Sequence, residues 1–158
     1  MSVQKIRYLL LIGIGGLLGL MSFARIGHAQ TVIDEGGLIR DTVWTESGSP
    51  YIIEDQVYVP LDKTLTIQAG TTVIASSSMI GYKMINAYGN ININGTKEKP
   101  VTITGKSGIG LSFGKYYINN TNIFLTDGLG VYNASLDISD SIITGADTAI
   151  ITRSSKIN

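Results

Sequence analysis

From residue 31 onward, apolar and polar positions alternate in short runs and never settle into a helical period. Val57-Tyr58-Val59, Leu65-Thr66-Ile67, Ile91-Asn92-Ile93 and Val101-Thr102-Ile103 each place two β-branched or aliphatic residues on one side of a polar or aromatic one. Alternation with period two, bounded by Gly, Asn, Asp or Pro, predicts half-buried strands. Gly70, Gly81, Gly89, Gly95, Gly105, Gly108 and Gly114 punctuate these runs and predict tight turns between them. The pattern predicts an all-β chain.

A repeat decides between the all-β architectures. Ile103, Ile123 and Ile143 share one register position at even spacing, a period of about 20 residues. Ile109, Leu129 and Ala149 share a second, and Leu111, Val131 and Ile151 a third. Positions between them drift: Thr102, Asn122 and Ile142, then Thr104, Phe124 and Thr144, then Ser112, Tyr132 and Thr152. Inward positions that stay apolar beside outward positions that vary describe the coil of a solenoid. One such coil cannot bury its own apolar side chains, so coils must stack, about 4.8 Å apart, through parallel ladders. A barrel would need hairpin turns, and Asn-Gly occurs once, at Asn94-Gly95. A leucine-rich repeat would need more leucines per repeat, in another spacing, than Leu125, Leu129 and Leu136 provide. The best fit is a right-handed, single-stranded parallel β-helix of about 20 residues per coil. It is expected to occupy residues 51–158, with residues 30–50, including Trp44, as an N-terminal cap.

The stretch from Val57 to Ile74, VYVPLDKTLTIQAGTTVI, resembles the first coil of secreted bacterial right-handed β-helix proteins of the pectin-lyase-like superfamily. Asp62-Lys63 stands where a small-residue turn is usual there. Ile91 to Thr96 with Pro100 to Thr104 is similar to the second coil of the same proteins. The resemblance covers roughly residues 50–158. It implies the architecture and leaves activity open, because the superfamily includes lyases, hydrolases, adhesins and coat proteins.

The segment from Met1 to Ala29 differs from the rest. Lys5 and Arg7 precede an uncharged run from Tyr8 to Phe23, and Gly27-His28-Ala29 offers a small-residue cleavage site before Gln30. This is the arrangement of a secretory signal. The run is shorter than the roughly 20 residues that span a bilayer, although an uncleaved membrane anchor over residues 8–24 is the rival reading. The expected location is therefore secreted or cell-surface. Removing the segment leaves 9 basic and 12 acidic groups, a net charge of −3, and takes away His28, the sole histidine of a chain without cysteine. That eliminates the commonest general base and the thiol nucleophile together. A chain with 15% charged residues and no basic excess is also not expected to bind nucleic acid.

Few groups remain that carry chemistry. The period stacks Asp127 under Asp147, with Ser107 one coil before, and it aligns Asn120 with Asp140. Two carboxylates at coil spacing repel each other and attract a hard cation, so Asp127 and Asp147 are candidate Ca²⁺ ligands. The competing reading makes both ordinary solvated turn residues. Asn120 and Asp140 read as a polar ladder inside the coil. Resemblance implies that superfamily lyases add an Arg or Lys base to such acids, and that hydrolases add clustered aspartates with His. Here the arginines after the first segment are Arg40 and Arg153, and Glu54-Asp55 precedes the first coil. No catalytic residues are therefore assigned. Phe124 and Tyr132, with Tyr116-Tyr117, fall on outward positions and are candidate stacking surfaces for a sugar; strand propensity alone also favours such residues.

These observations support an exported, non-catalytic β-helix module that is structural, adhesive or polysaccharide-binding. The alternative is the N-terminal part of a polysaccharide lyase or glycoside hydrolase with catalytic coils beyond residue 158. At the 20-residue period Asn158 should stand where Ile118 and Ile138 stood. An uncapped last coil would then be expected to continue into further coils or to dock onto a partner.

Overall fold

The computed structural model describes residues 30–158 except 35, 39, 81, 146–148 and 154. The proposed signal segment and Asp147 therefore lie outside the described residues. Among the described residues seventeen short strands run in the order β1 (Thr31–Ile33), β2 (Thr42–Trp44), β3 (Tyr51–Ile53), β4 (Val57–Val59), β5 (Thr64–Gln68), β6 (Thr72–Ala75), β7 (Lys83–Ala87), β8 (Asn90–Asn94) and β9 (Val101–Gly105). They continue as β10 (Gly108–Ser112), β11 (Lys115–Asn119), β12 (Thr121–Leu125), β13 (Leu129–Tyr132), β14 (Ser135–Ser139), β15 (Ile142–Thr144), β16 (Ile150–Arg153) and β17 (Lys156–Ile157). Single 3₁₀ turns at Glu46–Gly48 and Ser77–Met79 are the helical elements among the described residues.

The strands form three parallel sheets that the chain visits in rotation. The first holds β1, β3, β6, β9, β12 and β15, and the second holds β4, β7, β10, β13 and β16. The third holds β2, β5, β8, β11, β14 and β17. This is a parallel β-solenoid of about six turns, about 21 residues apart. Strand alternation explains it. Each strand turns one set of side chains inward, and the inward sets stack in columns such as Val57, Ile85, Ile109 and Leu129 in the second sheet. Leu65, Ile91, Tyr116 and Leu136 form a column in the third. All eight are buried, and each aliphatic side chain removed from water contributes about 1.5–3 kcal/mol. A gap of about 10 Å³ among Ile85, Ile109, Leu111, Tyr116 and Leu129 is at the lower limit for a water and wholly apolar. The core is filled.

The 20-residue period holds over part of the chain. Ile103, Ile123 and Ile143 pair in succession, as do Ile109 with Leu129 and Leu111 with Val131. Earlier coils are longer: Tyr51 pairs with Val73, Val73 with Ile103, and Leu65 with Ile91. The surplus residues lie at corners, such as the 3₁₀ turn Ser77–Met79 and the stretch Gly95–Pro100; at the start of β7 the register with β10 also slips by one residue, Gly108 pairing with Lys83 and Ile109 with Ile85. The last coil corrects the expected register. Leu129 pairs with Ile150 and Val131 with Thr152, not with Ala149 and Ile151. One extra residue between Thr144 and Ile150 shifts the strand, and a shift of one turns Ile151 outward, 43% exposed. Leu136 pairs with Ile157, so Asn158 does not take the position of Ile118 and Ile138.

The strands β1 and β2 are built into the sheets. β1 pairs with β3, β2 pairs with β5, and Gly37 bridges to Tyr58. Trp44 closes this end of the core, 3% exposed, with its ring 5.0 Å from that of Tyr51. Among the described residues no helix is long and apolar enough to cross a membrane.

Candidate functional site

The outer surface carries whatever site these residues form, because the interior is closed. Asp127 is exposed at the corner before β13. Its backbone N–H donates to the Ser107 carbonyl at 3.0 Å, which ties this corner to the coil before it. Ser107 itself is fully buried. Its hydroxyl accepts from the Met84 N–H at 2.9 Å and donates to the Tyr82 carbonyl, so it ties two coils together. No group of three His, Cys, Asp or Glu side chains suited to a metal ion occurs among the described residues.

Asn120 and Asp140 do occupy equivalent positions, but not inside the coil. Asp140 is exposed, and the two have φ of 45° and 46°. Both sit at the corner between the third and first sheets, where the chain needs a left-handed residue that Asn and Asp tolerate better than most. Asn120 donates to its neighbour Asn119, and the Ser139 hydroxyl donates to the same Asn119 Oδ1 at 3.1 Å. The polar ladder is a corner device.

Phe124 and Tyr132 both leave the core, yet they do not meet. Phe124 is 45% exposed on β12 in the first sheet, whereas Tyr132 is half-buried on β13 in the second. The Tyr132 ring lies over Gly130, where a Cβ would come within 2.8 Å of it. Tyr116 is not outward at all. Neighbouring residues of a strand face opposite sides, so Tyr117 is exposed while Tyr116 points into the core, 1% exposed. The Tyr116 hydroxyl lies 2.9 Å from the carbonyls of both Ala87 and Ser112. Burial pushes its pKa up to about 12.

The structure assembles a different aromatic group. Tyr58, Tyr88 and Phe113 come from three successive coils at the side where the second sheet ends. Their ring centroids are 5.4 Å and 6.0 Å apart. Tyr88 and Phe113 are within 23° of parallel. Rings in full face contact would be about 3.5–4 Å apart, so these overlap only in part and leave ring surface open. Tyr58 is 39% exposed and Phe113 59%. Both of their sequence intervals are longer than the regular period and unequal to each other, so that register does not align them. The available signal was an aromatic residue followed by glycine, Tyr88-Gly89 and Phe113-Gly114, each closing a strand of the second sheet.

Phe113 is held in a costly backbone state. Its φ is 64°, and the Gly114 N–H donates to the Ser112 carbonyl at 2.9 Å, closing a three-residue γ-turn around it. That form is rare, and a bulky side chain there costs on the order of 1–3 kcal/mol. One coil later Asn133, a residue suited to positive φ, has φ 49°. Beside the rings, Asn90 Oδ1 accepts from the Lys115 N–H at 3.1 Å, and Lys115 itself is exposed. Asp62 pairs with Lys63 at 2.5 Å, and that lysine holds its carboxyl below the usual range.

Two open clefts lie elsewhere. One of about 340 Å³ is lined by Glu54, Asp55, Gln56, Ser78, Met79 and Tyr82, the last 66% exposed. The other, about 400 Å³, is lined by Glu46, Ser49, Pro50, Gly70, Thr72 and Ile74, and Lys99 reaches Glu46 at 2.6 Å on that side.

No curated protein and no solved structure matches the chain. A family model described as a pectate-lyase-like beta helix domain matches residues 37–118. That span runs from the Gly37 bridge into β11 and contains Tyr58, Tyr88 and Phe113. Parallel coils in three sheets and a family match over more than half of its length together place this chain in the pectate-lyase-like β-helix family.

Proposed function

We propose that the chain is an exported, non-catalytic module that holds a polysaccharide against the outside of its β-helix. The observation that carries this reading is the partly exposed run of Tyr58, Tyr88 and Phe113 on a carbohydrate-related scaffold. Aromatic rings offer an apolar face to the C–H side of a sugar, and a tyrosine keeps a polar handle for its hydroxyls. A solenoid repeats that offer along its axis, which suits an extended polymer. Export follows from Lys5, Arg7, the apolar run and the Gly27-His28-Ala29 site. The rival reading, a lyase or hydrolase whose catalytic coils follow residue 158, draws on the lyase named in the family's description.

One pair of assays separates the two. Residues 30–158 are mixed with polygalacturonate, xylan and mixed-linkage glucan; retention of a polymer is measured beside release of unsaturated or reducing ends. Retention without release supports the module. Release that persists after purification to homogeneity would replace it with an enzyme.

A further inference from the structure

We infer that the strip Tyr58–Tyr88–Phe113 is the sugar-stacking site, and that Phe113 is kept there for binding at the expense of the fold. This rests on the polysaccharide-binding reading and locates it.

The strained backbone is the first reason. The corner after the second sheet needs a residue that accepts positive φ, and Asn133 meets that need one coil on. Phe113 is among the residues least suited to φ 64°, and burial does not compensate, since 59% of it remains exposed. Strain of this kind, in a side chain turned to solvent, marks a position held for something outside the chain.

The shape of the patch is the second. It is one ring wide and runs across coils from Tyr58, beside the Gly37 bridge, to Phe113. Three partly open rings expose on the order of 200–300 Å². A protein partner would need about 800 Å² on each side. A single extended chain needs only a narrow track. Polar groups that a sugar's hydroxyls require flank the rings: the two tyrosine hydroxyls, and exposed Lys115 two residues beyond Phe113. Phe124, on the first sheet, and Tyr132, folded over Gly130, lie off this track.

The test is affinity electrophoresis of residues 30–158 through gels containing polygalacturonate, xylan or mixed-linkage glucan, with melting temperatures measured alongside. Phe113→Asn installs the residue found one coil later; Tyr58→Ser changes an outward side chain in the middle of β4 and guards against a folding defect at the turn. Phe124→Ser is the control off the track. We expect wild type and F124S to be retarded by the same polymer. F113N and Y58S should lose at least tenfold in affinity, with F113N melting no lower than wild type. Retardation of F113N and Y58S equal to wild type would overturn this assignment and leave the binding module standing. No retardation of wild type by any of the polymers would overturn both.

Discussion

Thr71 and Val101 occupy the same inward position in successive coils, one residue before the paired Thr72 and Thr102. Both are fully buried, yet the Thr71 hydroxyl has no hydrogen-bond partner. Val101 shows that the position accepts a branched apolar side chain. An unpaired buried hydroxyl costs about 1–3 kcal/mol, and valine nearly matches threonine in shape. Thr71→Val should therefore stabilise the chain by about 1 kcal/mol, raising the melting temperature by about 2–4 °C. Thr121→Val should do the reverse, because that hydroxyl donates to the Asn119 carbonyl at 2.9 Å. Equal shifts in the two variants would contradict the assignment.

Tyr116 ties stability to alkaline pH. Its pKa in the fold is about 12, above the ordinary value of 10.0. The unfolded chain therefore ionises first, so stability is intact below pH 10 and falls as the pH rises toward 12. The loss should reach about 2 kcal/mol by pH 12. Denaturant melts of wild type and Tyr116→Phe across pH 8–12 should show a steeper fall for wild type. The variant should lose about 1 kcal/mol at pH 8, where the hydroxyl's hydrogen bond is its contribution. Parallel curves would refute the buried position of this ring.

Coil spacing at the corner is limited by glycine. A Cβ on Gly114 would stand 2.0 Å from the Gly89 carbonyl oxygen, and one on Gly89 equally close to that of Pro60. Backbone cannot yield as a side-chain tip does. Gly114→Ala should cost about 2–3 kcal/mol. Gly37→Ala, with nothing within 4 Å of the added carbon, should stay within about 0.5 kcal/mol of wild type. Chemical denaturation of the two variants checks this.

Export makes a separate forecast. Expressed with its full N-terminus in a secreting bacterial host, the chain should appear outside the cytoplasm beginning at Gln30, read by intact mass. Retention in the membrane at full mass would favour the uncleaved anchor over residues 8–24.

How much of this was legible depended on what each residue answers to. Inward residues answer to one shared core, so Ile103, Ile123 and Ile143 announced both the strands and the stacking. Corners answer only to local closure and absorb insertions freely. Coil lengths therefore vary, and a single extra residue before Ile150 was enough to displace the last register. Tyr116 misled because the pair Tyr116-Tyr117 gives no sign of which ring faces inward; its column with Ile91 and Leu136 decides that. The aromatic strip left only the Tyr88-Gly89 and Phe113-Gly114 dipeptides as a signal, and its alignment was hidden for the same reason as the long coils. Tyr58, Tyr88 and Phe113 are neighbours only once two corners of unequal length have closed.

The register on which the whole account depends can be read directly, because the chain has no cysteine of its own. Thr102 on β9 and Asn122 on β12 are outward partners in the first sheet. The double variant T102C/N122C should be bridged by dibromobimane, with the fluorescence of a doubly alkylated product and a shift consistent with an intramolecular link. T102C paired with F124C, further along β12 on the same outward face, should bridge far less. Efficient bridging of the second pair, or of neither, would contradict a solenoid in which the coil carrying Asn122 stacks in register on the coil carrying Thr102.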